Sequence, residues 1–203
     1  MSNFLNKIYD ARDAGETRRV YDDWATSYEA ELADQGYATP ARCAAALRKY
    51  ARDTDAPILD FGCGTGLSGQ ALQKAGFQVI DGVDLSPGML AVARDKGVYR
   101  SLDQIEAGAA LPFDDGAYPL MSAVGAIGAG AAPAGAFHTL MRNLPKRGLL
   151  VFSLNGRTLQ EHAYEGAMSE WTDCGAAQLL FRKDGPHLPG IDLNATVYVI
   201  EKS

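Results

Sequence analysis

Three glycines at alternate positions, Gly62-Cys63-Gly64-Thr65-Gly66, follow a short apolar run that contains a carboxylate, Ile58-Leu59-Asp60-Phe61. Glycine lets the chain turn tightly and lets a ligand reach the backbone with no Cβ in the way. A helix that starts after such a loop offers free N–H groups to a carboxylate or phosphate. A second carboxylate, Asp84, closes the next apolar run, eighteen residues after Gly66. A carboxylate at that point can accept both hydroxyls of a ribose. Taken singly, a glycine loop is a turn and Asp84 a surface charge. The order strand, loop, helix, strand, acid is what points to a nucleoside-bearing ligand. The spacing is G-x-G-x-G, with Leu67 where a dinucleotide fingerprint needs its third glycine, so a nicotinamide cofactor fits poorly.

These residues need a parallel sheet to position them, since such sheets bind ligands beyond the carboxyl ends of their strands. The pattern supplies one. Strands are expected at 57–61, 77–83, 102–105, 118–124 and 148–154. Helices are expected at 67–75, from Ser86-Pro87 to Gly97, at 134–143 and at 158–171. Two last strands, 177–182 and 195–200, flank a Gly/Pro-rich connection (184–190) with no helix between them, which favours an antiparallel pair at one edge. Before the sheet, the spacing of Val20, Tyr21, Trp24, Tyr28 and Leu32 predicts one helix over 17–33, and Thr39-Pro40 is read as the cap and first turn of another. The alternation predicts an α/β fold with a doubly wound, largely parallel sheet.

A chain of 203 residues suggests one domain with an N-terminal extension. The net charge of −6, with no basic stripe, argues against a nucleic-acid partner. No apolar run reaches the ~20 residues of a membrane span, and residues 1–10 do not read as a signal peptide. Cys43, Cys63 and Cys174 are widely spread, which suits a reducing cytoplasm. No C-x-x-C or H-x-x-x-H spacing points to a metal.

Ile58 to Gly66 and Gly82-Val83-Asp84-Leu85-Ser86-Pro87-Gly88-Met89-Leu90 resemble the first two cofactor motifs of the class I methyltransferases that use S-adenosylmethionine (SAM), type 11-like. The segments 111–116 and 147–153 resemble those before the fourth strand and at the fifth. Two further stretches, 20–28 and 185–192, are similar to the methyltransferase-like proteins related to the one encoded in the Williams–Beuren region. The resemblance implies a seven-stranded, Rossmann-like sheet with an antiparallel edge strand, an N-terminal helical lid (1–53) and a core (54–203). It implies SAM as cofactor and S-adenosylhomocysteine (SAH) as product. Gly62, Cys63, Gly64 and Gly66 would line the methionine end and the ribose, and Asp84 would hold the ribose hydroxyls. Leu85 and Met89 would pack near the adenine. Glu106 would accept from the adenine amino group, with the Ala107 N–H on the ring. Asp60 would order the methionine amine, directly or through water. Tyr21, Trp24 and Tyr28 would form the lid's aromatic face, which can attract a sulfonium.

No residue stands out as catalytic. His138, His162 and His187 read as structural or exposed, and Cys63 as a small packing residue. After the fourth strand, Gly125-Ala126-Ile127-Gly128-Ala129-Gly130 is expected to form a bare, loosely held wall of the acceptor pocket. Methyl transfer to a small, apolar or aromatic molecule is the leading expectation. A SAM-binding protein without turnover and a protein methyltransferase are the alternatives.

Overall fold

The computed structural model describes residues 14–203; residues 1–10, read above for a signal peptide, lie outside that range, as does most of the lid's first stretch. Helices α1 (Ala14–Trp24), α2 (Tyr28–Asp34) and α3 (Thr39–Tyr50) precede the sheet. Then β1 (Ile58–Phe61), α4 (Leu67–Lys74), β2 (Ile80–Asp84), α5 (Pro87–Asp95), β3 (Ser101–Gln104) and β4 (Leu120–Ala123) alternate. Helix α6 (Gly135–Asn143), β5 (Leu149–Asn155), α7 (His162–Asp173), β6 (Ala177–Lys183), β7 (Pro186–Leu188) and β8 (Leu193–Lys202) complete the chain.

The main sheet runs β3-β2-β1-β4-β5-β8-β6, with β7 paired to β8. Strands β3, β2, β1, β4 and β5 are parallel. β8 is antiparallel to both β5 and β6, so the expected antiparallel pair is present, with β8 inserted and β6 at the edge. Strand order reverses between β1 and β4, and this is the switch point where an open α/β sheet leaves a crevice.

Alternation along the strands builds two cores. Ile58, Leu149 and Val151 face α3 and α4, where Leu47, Leu72 and Phe77 cover them. Leu59, Leu150 and Phe152 face the other way, against Phe137 and Leu140 of α6 and Met168 of α7. Phe77 explains why β2 starts later than its apolar pattern. It fills the first core from a turn, its N–H donating to Leu72 O at 3.2 Å, and pairing with β1 begins only at Ile80.

Three local expectations need correction. The N-terminal helix is broken at 25–27, where Ser27 N donates to Trp24 O and the Ser27 hydroxyl donates to Glu31 Oε1 at 2.7 Å. Serine and threonine offer the backbone such alternatives to a helix interior. Thr39 is not a cap: Ala38 holds that position, and the Thr39 hydroxyl meets His187 Nδ1 at 2.8 Å. The helix expected at 158–171 opens as one 3₁₀ turn, Thr158–Gln160, before α7, because Asn155 Oδ1 accepts from Arg157 N and Thr158 N. Pro119, awkward inside a strand, lies just before β4, and its carbonyl accepts from Leu149 N. The Ser86-Pro87 start is as expected, with Ser86 Oγ accepting from Met89 N at 3.0 Å.

Candidate functional site: a cavity over the glycine loop

As β1 ends, Gly62 N and Cys63 N both donate to Val83 O, at 2.8 and 3.0 Å, which folds the loop over the end of β2. Gly62 has φ +67, and a Cβ there would lie 2.4 Å from the Ala126 Cβ. Gly64 has φ +53 and faces open space. Both conformations favour glycine.

Asp84 sits across from this loop. Its Oδ2 accepts from Gly64 N at 2.8 Å and its Oδ1 from Ser86 N at 2.9 Å. A carboxylate has about four lone-pair sites, so about two remain for a ligand. Burial raises the Asp84 pKa above the ordinary carboxylate value, against the lowering effect of the Ser86 and Gly64 N–H groups. For the fold, a raised carboxylate pKa means stability present at low pH and lost as pH rises through the folded value. Ribose hydroxyls donating to Asp84 would favour its ionised form, so binding of such a ligand would have the opposite slope. SAH affinity, measured calorimetrically from pH 8 downward, is therefore expected to start falling above the ordinary carboxylate range near 3.8. An Asp84→Asn variant should lack that acid limb.

A cavity of about 340 Å³ opens over the loop. Gly62, Cys63, Gly64 and Asp84 form its floor, and Leu85, Met89, Glu106 and Ala107 line one end. Tyr21 and Tyr28 close over it from α1 and α2. Trp24 does not reach it. Its ring is buried, edge-on to Tyr28 at 4.7 Å, and borders a smaller adjoining pocket. Gly66 caps the start of α4 and is not part of the cavity lining. Asp60 lies behind the loop, fully buried and outside the lining, which does not fit direct contact with a ligand amine. It accepts from Ser122 Oγ (2.5 Å), Ser68 Oγ (2.6 Å) and Tyr99 OH (2.8 Å), while burial raises its pKa. The Cys63 thiol is also pushed up by burial, which suits a packing residue and not a nucleophile. Glu106 is largely exposed and pairs with Arg18 of α1 at 3.6 Å.

Several residues were not singled out from sequence. The Thr65 hydroxyl is buried beside the cavity with no hydrogen-bond partner among the described residues. A buried polar group left unpaired is costly, so a ligand partner is the physical expectation. The motif contained Thr65, but its burial was not readable from spacing. Asp22 of α1 docks the N-terminal helices: its Oδ1 accepts from Ser86 Oγ and from Gly88 N at the start of α5. Lys96, just after α5, pairs with Glu29 of α2 at 2.6 Å. The 125–130 wall is bare, as expected, but it is tied down: Gly128 N donates to Ala132 O and Ala132 N to Ala126 O, both at 2.9 Å.

The donors and acceptors fit an amino-acid-bearing nucleoside. Asp84 has spare acceptor capacity, Thr65 lacks a partner and Gly64 leaves the backbone bare. This loop, at the switch point of this sheet, lies where open α/β folds hold a nucleoside-bearing ligand. The Methyltransferase domain family matches residues 59–152. The chain is 34% identical over 131 residues to human Methyltransferase-like protein 27, covering 63% of this chain and 54% of that protein. It is 39% identical over 70 residues to the Saccharomyces cerevisiae 18S rRNA (guanine(1575)-N(7))-methyltransferase, covering 34% of this chain and 26% of that one. The chain thus spans about half the length of the first relative and a quarter of the second. In fold it is similar to a chain from the complex between the Haloferax volcanii Trm112 methyltransferase activator and the putative methyltransferase, with TM-score 0.65 and 18% identity, covering 90% of this chain and 96% of that one.

Proposed function

We propose that this chain transfers a methyl group from SAM to a small-molecule acceptor and releases SAH. The observation that carries the reading is Asp84, held by two backbone N–H groups at the cavity floor with acceptor capacity left for a ribose. SAM supplies an already activated methyl group. What remains for the chain is to bind, align and exclude water. In this reading Gly62, Cys63 and Gly64 cradle the amino-acid tail, with the Thr65 hydroxyl as a further contact. Leu85 and Met89 pack the adenine, Glu106 and the Ala107 N–H read its edge, and Asp60 shapes the loop from behind. Of the 1–53 stretch expected as a lid, α1 and α2 act as one, with Tyr21 and Tyr28 over the sulfonium, whereas α3 is packed into the core on the sheet.

Three polar ties hold that lid: Asp22 to Ser86 and Gly88, Glu29 to Lys96, and Arg18 to Glu106. A ligand bound under the lid should suppress its opening. Tryptic cleavage after Arg18 and Arg19 is expected to slow by up to ~100-fold at SAH concentrations 100 times Kd. Equal cutting rates with and without SAH would remove the lid from this account.

A small acceptor is supported by the net charge of −6 and by a cavity roofed with aromatic side chains. The match to an rRNA methyltransferase favours a second reading, an RNA acceptor. No described helix is long and apolar enough to cross a membrane, and the three cysteines are free, which fits a reducing compartment such as the cytoplasm. Incubation with methyl-labelled SAM and separate metabolite, RNA and protein fractions distinguishes these possibilities. Label in the metabolite fraction with matching SAH supports the proposal, and label in RNA or protein replaces it with that acceptor. SAH binding with no label anywhere would mean a binding protein without turnover.

A further inference from the structure

Beside the cofactor cavity lies a second, smaller pocket of about 60 Å³, which shares Tyr21, Tyr28, Tyr37 and Gly125 with it. It lies beyond the carboxyl ends of β4 and β5, with Ser153 and Asn155 on its wall. That is room for a few water molecules, enough for the head of a ligand and not for its body. None of the residues around it is Asp, Glu, Lys or Arg. A charged head group would lose its water there without gaining a counter-charge, which is costly.

The polar groups on this wall are not equally free to meet a ligand. Ser153 Oγ accepts from Gly125 N at 2.9 Å, and Asn155 Oδ1 accepts from two backbone N–H groups. His187, from β7, differs. Its Nδ1 is held by Thr39 Oγ1 at 2.8 Å, and Nε2 has no partner among the described residues. The ring is held from several directions. Tyr37 packs edge-on at 5.2 Å, Ala38 N donates to the His187 carbonyl, and Arg42 donates to the carbonyls of Lys183, Gly185, Pro186 and Ala195 around it. Burial, aided by the nearby Arg42, lowers the His187 pKa to about 4, so the ring is neutral near pH 7. A neutral imidazole with one nitrogen occupied presents a single hydrogen-bonding atom in either tautomer.

We infer that this pocket is the acceptor subsite, that it takes the uncharged, hydrogen-bonding head of a flat apolar molecule, such as an aromatic hydroxyl, and that His187 Nε2 orients that head. The inference rests on the methyltransferase reading and adds the chemical class of the acceptor. The aromatic side chains of Tyr21, Tyr28 and Tyr37 face the molecule's flat body, and the charge-free wall rejects carboxylates, phosphates and ammonium groups.

The test uses the SAH-saturated protein and four probes: phenol, toluene, benzoate and benzylamine. The chain has three histidines, so 15N-histidine labelling gives a simple spectrum. Phenol is expected to shift the His187 ring nitrogens and leave His138 and His162 in place. It should bind about fivefold tighter than toluene, the worth of one neutral hydrogen bond, and at least ~10-fold tighter than the two charged probes. His187→Phe should bring the phenol-to-toluene ratio to about one with SAH affinity within twofold, and His187→Gln should restore part of the preference. Equal binding of phenol and toluene by the wild-type protein, shifts elsewhere than His187, or benzoate binding as tight as phenol would each overturn the inference. If His187→Phe does not fold, the wild-type ratio and spectrum still decide it. Failure of SAH itself to bind would instead count against the methyltransferase reading.

Discussion

Replacing Asp84 with alanine is expected to weaken SAH binding by about 100-fold or more, as read by titration calorimetry. The side chain would accept two ribose hydroxyls, and hydrogen bonds to a charged group contribute about 1.5–3 kcal/mol each. Alanine also releases Gly64 N and Ser86 N, which the carboxylate now holds at 2.8 and 2.9 Å. The loop loses its anchor to β2 and the start of α5 loses an ordered N–H. Melting temperature without ligand should change far less, because burial of the ionised group works against the fold. Wild-type affinity in the alanine variant would mean that the ribose is not held here.

The reverse pattern is expected for Asp60→Ala, which should cost about 2–4 kcal/mol of stability in urea unfolding, because it leaves buried hydroxyls without an acceptor at about 1–3 kcal/mol each, partly offset by no longer burying a carboxylate. Its carboxylate joins the hydroxyls of Ser68 on α4, Ser122 on β4 and Tyr99, which lies between α5 and β3. Without it three buried hydroxyls compete for too few acceptors. Tyr99 OH also accepts from Gly69 N at 3.1 Å, and its ring lies against Gly66, so the first turn of α4 would loosen as well. SAH binding should weaken as a consequence of that loosening. A variant with unchanged stability but lost affinity would instead put Asp60 in contact with the ligand.

The contrast between the two aspartates shows what the sequence discloses and what it hides. The glycine loop, Asp84 and the Ser86-Pro87 cap are legible because each works over a few consecutive residues. The placement of Asp60 was open to the alternation rule. It shares a strand face with Ile58, beneath α4, so it points away from the crevice. The break between α1 and α2 was masked because the aromatic spacing continues across it, and Trp24 and Tyr28 still meet. Strand β7 was hidden in a Gly/Pro-rich stretch because the carbonyls at its start, of Gly185 and Pro186, are satisfied by Arg42, more than 140 residues earlier. The Thr65 hydroxyl and the neutral His187 depend on burial, a property of the assembled fold.

The Arg42 fork has a kinetic consequence. The pairs Thr39–His187 and Arg42–Ala195 are separated by 148 and 153 positions along the chain. Contacts that close such long loops form slowly, because the entropy of bringing the ends together is spent before any contact rewards it. The parallel half of the sheet can assemble from neighbouring segments, whereas the wall carrying His187 must wait for β8 to insert between β5 and β6. In refolding experiments the half that carries the glycine loop should therefore recover first, and the histidine wall should set the slowest phase.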